Sequence, residues 1–365
     1  MSFTFAQITI RISKTPQDTP LDATLYMASN LNEWNPKDEN YAFKKQNDGS
    51  FTLSISPKES TVEYKITQGS WDVAEGDPNA NSIGNRKIEV NSTTPKSLEI
   101  TVESWQKKII KKSTTSKNVK ILSESFDIPQ LKTTRKVWIY LPEDYHTSEA
   151  RYPVIYMADG QNLFDEATSY SGEWRVDETM DSLKTLNKVN AIVVGIDNGG
   201  SERLNEYSPW KNEQYGGGHG DAFADFLAQT LKPYIDTYFK TKNDAQNTAL
   251  IGSSMGGLIS LYTGVKYPEK FGKLGVFSPA LWFSEADLKT YVQKKSSSLQ
   301  NTKIYFVAGQ NESKEMVNDI NEIVEILKAK GLSNQNLNVK IDEKGTHSEG
   351  FWAQQLPDAL LWLFH

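Results

Sequence analysis

The sequence predicts two folds in one chain: a small all-β sandwich over residues 1–104, and an α/β domain over 119–365 whose mostly parallel sheet is flanked by helices. Three observations carry this. Short stretches in the first hundred residues alternate apolar and polar side chains, the period of a half-buried strand. Later stretches are continuously apolar, as in strands covered on both faces. Those later stretches also alternate with segments of helical length, which is the pattern of parallel crossover units.

The alternating stretches are 8–12, 23–27, 51–55, 63–66 and 98–102, each bounded by clusters of Asn, Asp, Pro, Gly or Ser. Such clusters make turns, and successive strands without helices between them pair antiparallel, so an immunoglobulin-like sandwich is expected. Residues 105–118 are polar and basic, with Lys107, Lys108, Lys111, Lys112 and Lys117, and read as a solvated linker. Beyond it the apolar strands fall at 137–141, 154–157, 191–196, 249–251, 274–277 and 304–307, and a last one at 339–342. Helices are expected near 174–186, 221–239, 255–266, 314–330 and 350–364.

Composition removes several function classes. The chain has 365 residues, 40 basic against 46 acidic, for a formal charge of −6. Nucleic acid and anionic membranes call for a basic face, so neither is expected as a partner. No apolar run approaches the roughly 18–20 residues that span a bilayer. The absence of cysteine excludes disulfides, Cys-ligated zinc and a thiol nucleophile together. The first residues, with small Ala6 near a cleavage-like point, resemble the end of a signal peptide. The expectation is a periplasmic or secreted protein, or a cytoplasmic one if Met1 is the true start.

Chemistry enters at Gly252-Ser253-Ser254-Met255-Gly256, which follows an apolar strand and opens a helix. A serine presented on that turn is a nucleophile elbow, and only Ser254 has glycine two positions to either side. A serine hydroxyl needs a base to take its proton, and the chain offers four histidines: His146, His219, His347 and His365. His347 stands directly after the last strand and before the last helix, where the serine–acid–histidine chain order of α/β-hydrolases places the base. His219 precedes a helix in a glycine-rich loop and could line the pocket. The acid should leave the strand 303–308, and Glu312 comes first out of it, ahead of Glu315 and Asp319. The oxyanion needs two backbone donors. The amide of Met255 is one candidate, and that of Gln161, after Gly160 in the loop beyond 154–157, is the other.

Several of these stretches resemble the putative-esterase family of α/β-hydrolases, the broad group of esterase D and enterochelin, feruloyl and acetyl-xylan esterases. The resemblance rests on 152–165 with its Asp159-Gly160-Gln161-Asn162, on the elbow, on 231–236, and on Gly345-Thr346-His347-Ser348-Glu349-Gly350-Phe351-Trp352. It implies a carboxylic ester hydrolase without metal or organic cofactor. Ala158 stands where members often carry a histidine. The front region resembles starch- and glycogen-binding sandwich modules, through Asn32-Glu33-Trp34-Asn35-Pro36, Gly69-Ser70-Trp71-Asp72 and Asn85-Arg86. That resemblance implies a platform of Trp34 and Trp71 on which sugar rings stack, with Lys65 and Asn85 bonding hydroxyls. The module could equally brace the catalytic domain. The company it keeps suggests an ester on a carbohydrate, of acetyl or feruloyl type. A siderophore-lactone esterase and a catalytically idle glucan-binding protein are the alternatives.

Overall fold

The computed structural model describes residues 7–90, 96–106, 111–295 and 299–365. The stretch read as the tail of a signal peptide lies, through Ala6, outside the described residues, as do 107–110 of the expected linker. The chain divides into two compact units, Met1–Ile110 and Lys111–His365.

The first unit holds strands β1 (Ile8–Lys14), β2 (Tyr26–Ser29), β3 (Lys44–Lys45), β4 (Phe51–Ile55), β5 (Thr61–Thr67), β6 (Glu75–Gly76), β7 (Arg86–Glu89), β8 (Lys96–Thr101) and β9 (Ser104–Trp105). One sheet runs β3-β4-β1-β8, a second β2-β5-β7, and β6 pairs with β9. Alternation puts Ile8, Ile10 and Ile12 of β1 on the same face, where they join Val62, Tyr64 and Ile66 of β5 in one core. The expectation of purely antiparallel pairing fails at one place: β1 and β8 run parallel. Alternation fixes which face is buried, and it is blind to strand direction.

The expected linker is solvated in part where it is described: Lys112, Ser113, Thr114 and Lys117 are exposed, while other residues of it are engaged. Trp105 is buried in the first core and donates from Nε1 to Thr19 Oγ1 at 2.7 Å. Residues after 110 lie along the second unit: Thr114 Oγ1 donates to Glu173 Oε2 at 2.9 Å, and the Ser116 amide to Asp177 Oδ2 at 2.7 Å. Polar side chains and backbone here serve buried carboxylates as well as solvent.

The second unit contains β10 (Val119–Ile128), β11 (Thr133–Tyr140), β12 (Val154–Ala158), α1 (Val176–Thr185), β13 (Ile192–Ile196), α2 (Arg203–Tyr207), β14 (Lys211–Asn212), β15 (Gly216–Gly217), α3 (Gly220–Phe226), α4 (Lys232–Tyr238), β16 (Thr248–Ser253), α5 (Met255–Lys266), β17 (Lys273–Phe277), α6 (Glu285–Lys295), β18 (Lys303–Gly309), α7 (Met316–Ala329), β19 (Leu337–Asp342) and α8 (Glu349–Phe364). Eight strands form one sheet in the order β10-β11-β13-β12-β16-β17-β18-β19. From β13 to β19 the pairs are parallel, while β10–β11 and β11–β13 are antiparallel. Apolar cores cover both faces of the sheet, as the continuous apolar runs require.

Between α3 and α4 the helix passes through a π turn, Leu227–Leu231. Pro233 opens α4, and without an amide hydrogen it cannot continue the regular ladder, so the wider turn falls just before it. The functional elements converge at the carboxyl ends of β12, β16, β18 and β19, the edge at which open α/β sheets bind ligands.

Candidate active site

The turn that presents Ser254 is strained. Ser254 caps α5 with φ 55° and ψ −123°, a left-handed position that an L-residue occupies only under constraint. Hydrogen bonds at both its amide and its carbonyl hold it there. Its amide donates to Phe277 O at 3.0 Å, and its carbonyl accepts from Ala280 and Leu258 at 3.0 and 3.1 Å. The flanking glycines differ in what they permit. A Cβ on Gly252 would lie 2.5 Å from Gly256 O, a contact backbone cannot relieve, whereas one on Gly256 would meet Ala158 Cβ at 3.2 Å.

Glu312 and His347 come together by a different route. A Cβ on Gly345 would sit 2.6 Å from Gly309 Cα, so the ends of β18 and β19 touch backbone to backbone. The loops beyond them are thereby pressed together, and His347 Nδ1 lies 2.7 Å from Glu312 Oε2. The Glu312 side chain is 1% exposed and that of His347 42%. Oε1 of Glu312 accepts from the Gly309 amide at 2.5 Å and from Ser278 Oγ at 2.8 Å. Burial pushes the carboxyl up, but the bonds from His347, Gly309 and Ser278 outweigh it, and the group ends below its ordinary value. Ser278 Oγ in turn accepts from Trp352 Nε1 at 2.9 Å, and the His347 ring stands edge-on to Trp352, 5.1 Å between centroids.

Ser254 and His347 line one cavity of about 840 Å³, together with Gln161, Trp174, Arg203 and Trp352. Glu315 and Asp319, the other acids considered, have no contact with His347: Glu315 is an exposed cap of α7 and Asp319 points away into that helix's buried side. His146, His219 and His365 are exposed and do not line the cavity.

On the opposite wall Asp159 also has a positive φ, 58°, and its carboxylate is gripped by Arg203 through two bonds of 2.7 and 2.8 Å and by Asn198 Nδ2 at 2.6 Å. That grip shapes the turn at Gly160-Gln161, which packs so closely that a Cβ on Gly160 would fall 2.8 Å from the Asp197 amide. Gln161 Oε1 accepts from the Asn198 amide at 3.2 Å. Among the described residues, no carbonyl accepts from the Gln161 or Met255 amide. Burial pushes the Asp197 carboxyl up to about 6, although Trp138 Nε1 donates to it at 2.7 Å. Burial likewise raises Glu349, whose Oε1 accepts from Asn162 Nδ2 at 3.3 Å.

The sequence matches the family described as "Putative esterase" over residues 128–363. The chain belongs to that family. It is a carboxylic ester hydrolase on an α/β-hydrolase sheet. The uncharacterized protein YbbA of Bacillus subtilis is 26% identical over 245 residues, 63% of this chain and 92% of that protein. An endo-1,4-beta-xylanase/feruloyl esterase of Xylanibacter ruminicola is 29% identical over 223 residues, 60% of this chain but only 28% of that protein. Among solved structures, the enterobactin esterase of Shigella flexneri in the presence of enterobactin shares the fold, with a TM-score of 0.57 at 17% identity over 93% of this chain and 88% of that one.

Within this esterase, sequence reasoning missed Ser278, Trp352, Arg203 and the Gly309–Gly345 contact. Ser278 has a signal only in hindsight, as the residue just beyond an apolar strand at the sheet's carboxyl edge. Arg203 lies on α2, five residues long and too short to show a period.

In the first unit the structure brings Trp34 and Trp71 together, ring centroids 6.4 Å apart and tilted by 38°. Trp71 is 42% exposed and Trp34 half-buried. Lys65 lies on β5 between the buried Tyr64 and Ile66, its Nζ 3.4 Å from Ser82 Oγ. Asn85 is exposed just before β7 and donates to Glu63 Oε2 at 3.3 Å.

Proposed function

We propose that this esterase is a serine enzyme that works through an acyl-enzyme on a carbohydrate-linked ester of acetyl or feruloyl type. One observation carries the mechanism: a strained serine and a histidine line the same cavity, and a buried glutamate holds that histidine by Nδ1. With Nδ1–H donated to Glu312, the free Nε2 is the basic nitrogen and faces the chemistry. Ser254 Oγ attacks the ester carbonyl while His347 accepts its proton. Glu312 stays ionised and stabilises the imidazolium. The carbonyl oxygen, now anionic, is received by the amides of Met255 and Gln161. His347 then gives its proton to the departing alcohol, and water repeats the sequence to release the acid.

The cavity's charge bears on the substrate. Its carboxylates Asp159, Asp197 and Glu349 outnumber the single guanidinium of Arg203. A ferric siderophore of catecholate type is strongly anionic, and such a lining repels it. A neutral sugar ester meets no such penalty, and Trp174 and Trp352 offer flat apolar faces to an aromatic acyl group. The Xylanibacter relative, named for both xylanase and feruloyl esterase activity, agrees with this choice. The front unit, on this reading, retains a polysaccharide through Trp34 and Trp71.

A fluorophosphonate probe tests the mechanism: it should label the parent once per chain, at Ser254, and leave Ser254→Ala unlabelled. Labelling that persists in that variant removes Ser254 from the role. Hydrolysis of acetyl-xylan, methyl ferulate and enterobactin side by side tests the substrate, and a preference for the siderophore would reverse the electrostatic argument.

A further inference from the structure

Outside the catalytic cavity, three carboxylates meet where α1 begins. One oxygen from each of Glu173, Asp177 and Glu178 lies within 4.8 Å of the others. Glu173 is 8% exposed and Asp177 0%. Each of the three keeps a buried oxygen with no hydrogen-bond partner among the described residues: Glu173 Oε1, Asp177 Oδ1 and Glu178 Oε2. Their other oxygens are engaged, by Thr114 Oγ1 on Glu173, the Ser116 amide on Asp177, and Arg175 Nε at 3.4 Å from Glu178 Oε1. The division is regular. In each carboxylate one oxygen is engaged by protein and the other is bare.

Bare, buried and like-charged oxygens are among the most unfavourable arrangements a fold can hold. Arg175 is largely exposed and reaches only Glu178. The α1 N-terminus contributes about half a positive charge, too little against three carboxylates. Either shared protons or a bound cation must relieve that repulsion.

We propose that Glu173, Asp177 and Glu178 form a calcium site. All donors are carboxylate oxygens, the ligands of a hard cation. Three carboxylates meeting within 4.8 Å of one another suit Ca²⁺, which takes six to eight oxygen ligands in a flexible shell, better than Mg²⁺, which keeps several waters and is held by one or two carboxylates. Glu173 and Glu178 also line a separate surface cavity of about 500 Å³, through which the ion and the waters completing its shell can enter.

The site would join two segments that matter elsewhere. Residues 114–116 reach it as a strap from the start of the unit, and Trp174, flanked by Glu173, is a wall of the catalytic cavity stacked 5.7 Å from Trp352. A bound ion therefore fixes the backbone behind that wall.

The test uses the full chain stripped with EGTA. Calorimetric titration with CaCl₂ at about pH 7.5 should show close to one ion per chain, with a Kd of micromolar order. About 1 mM Ca²⁺ should raise the midpoint of thermal unfolding by several degrees, and Mg²⁺ much less. Glu173→Gln and Asp177→Asn should each weaken binding at least tenfold, while unfolding without calcium at or above the parent's temperature, since each removes a buried like charge. Glu178→Gln, at a half-buried position, serves if either fails to fold. Absence of binding to the parent would mean that a shared proton holds the cluster together. Undiminished binding in the variants would place the ion elsewhere. Either result overturns the proposal.

Discussion

In the proposed mechanism, Glu312 holds His347 in the tautomer on which the reaction depends. Its folded value lies below the ordinary one, so the stability it contributes is present above the normal carboxylate range and is lost as pH falls through the lowered value. Replacing it with Gln should leave the fold intact and reduce kcat by about 10³–10⁴-fold, by analogy with the effect of neutralising a triad acid, while Glu315→Gln stays near parent. Full activity in Glu312→Gln would pass the role to another acid. Asp197 behaves in the opposite sense. With a folded value near 6 it stabilises below its ordinary value, and that contribution disappears as pH rises through about 6. Asp197→Asn keeps an acceptor for Trp138 and loses the charge. Denaturant unfolding should find the variant gaining on the parent between about pH 4 and pH 7, by about 1 kcal/mol once partial exposure is discounted. Parallel curves for the two proteins would show that burial does not govern this carboxyl.

At the scale of elements, Glu312 and His347 are brought together where Gly309 and Gly345 meet backbone to backbone. A methyl on Gly345 would meet Gly309 Cα at 2.6 Å and the Phe351 ring at 2.7 Å, forcing β18 and β19 apart at the end that carries Glu312 and His347. Gly345→Ala should therefore cost about 1–3 kcal/mol and lower kcat far more than it changes KM. Gly350→Ala, in α8 with open space around it, should be neutral or mildly stabilising. Similar losses in both would mean that the contact is not what aligns the pair. The contrast also explains what the sequence could and could not reveal. Apolar runs and the glycines around Ser254 announce buried parallel strands and an elbow, because those requirements are local in the chain. Gly309 and Gly345 lie 36 residues apart and carry no mark of touching. The edge strand β10 went unread because its exposed, bulged course leaves only Val119, Ile121, Leu122, Phe126 and Ile128 apolar and out of period. Helix α6 went unread for a related cause: only Leu288 and Val292 on it are buried, too few to show a stripe.

For the molecule as a whole, the question is whether its two units serve one substrate. The turn that presents Trp34 is held open at some cost, since Glu33 and Trp34 both have positive φ, 54° and 59°. A fold that needed Trp34 only as core would bury it without that strain, and Trp34 is instead half-buried against the exposed Trp71. The faces of sugar rings are apolar and their rims polar, and the proposal that a glucan binds here rests on the two adjacent indoles, with Lys65 and Asn85 on the same unit. Each stacked ring should be worth about 0.5–1.5 kcal/mol beyond the area it covers, on the scale of aromatic pairs. Removing one tryptophan should then weaken retention by about two- to tenfold, as read by affinity electrophoresis of Trp34→Ala and Trp71→Ala in glycogen or starch gels. Hydrolysis of a small soluble ester should be unchanged in both variants, because Ser254, His347 and Glu312 all belong to the other unit. A parent that migrates unretarded would mean the front unit holds no glucan, and the case for a carbohydrate ester would then rest on the catalytic cavity alone. Loss of small-ester hydrolysis in either variant would instead show that the tryptophans support the catalytic unit itself.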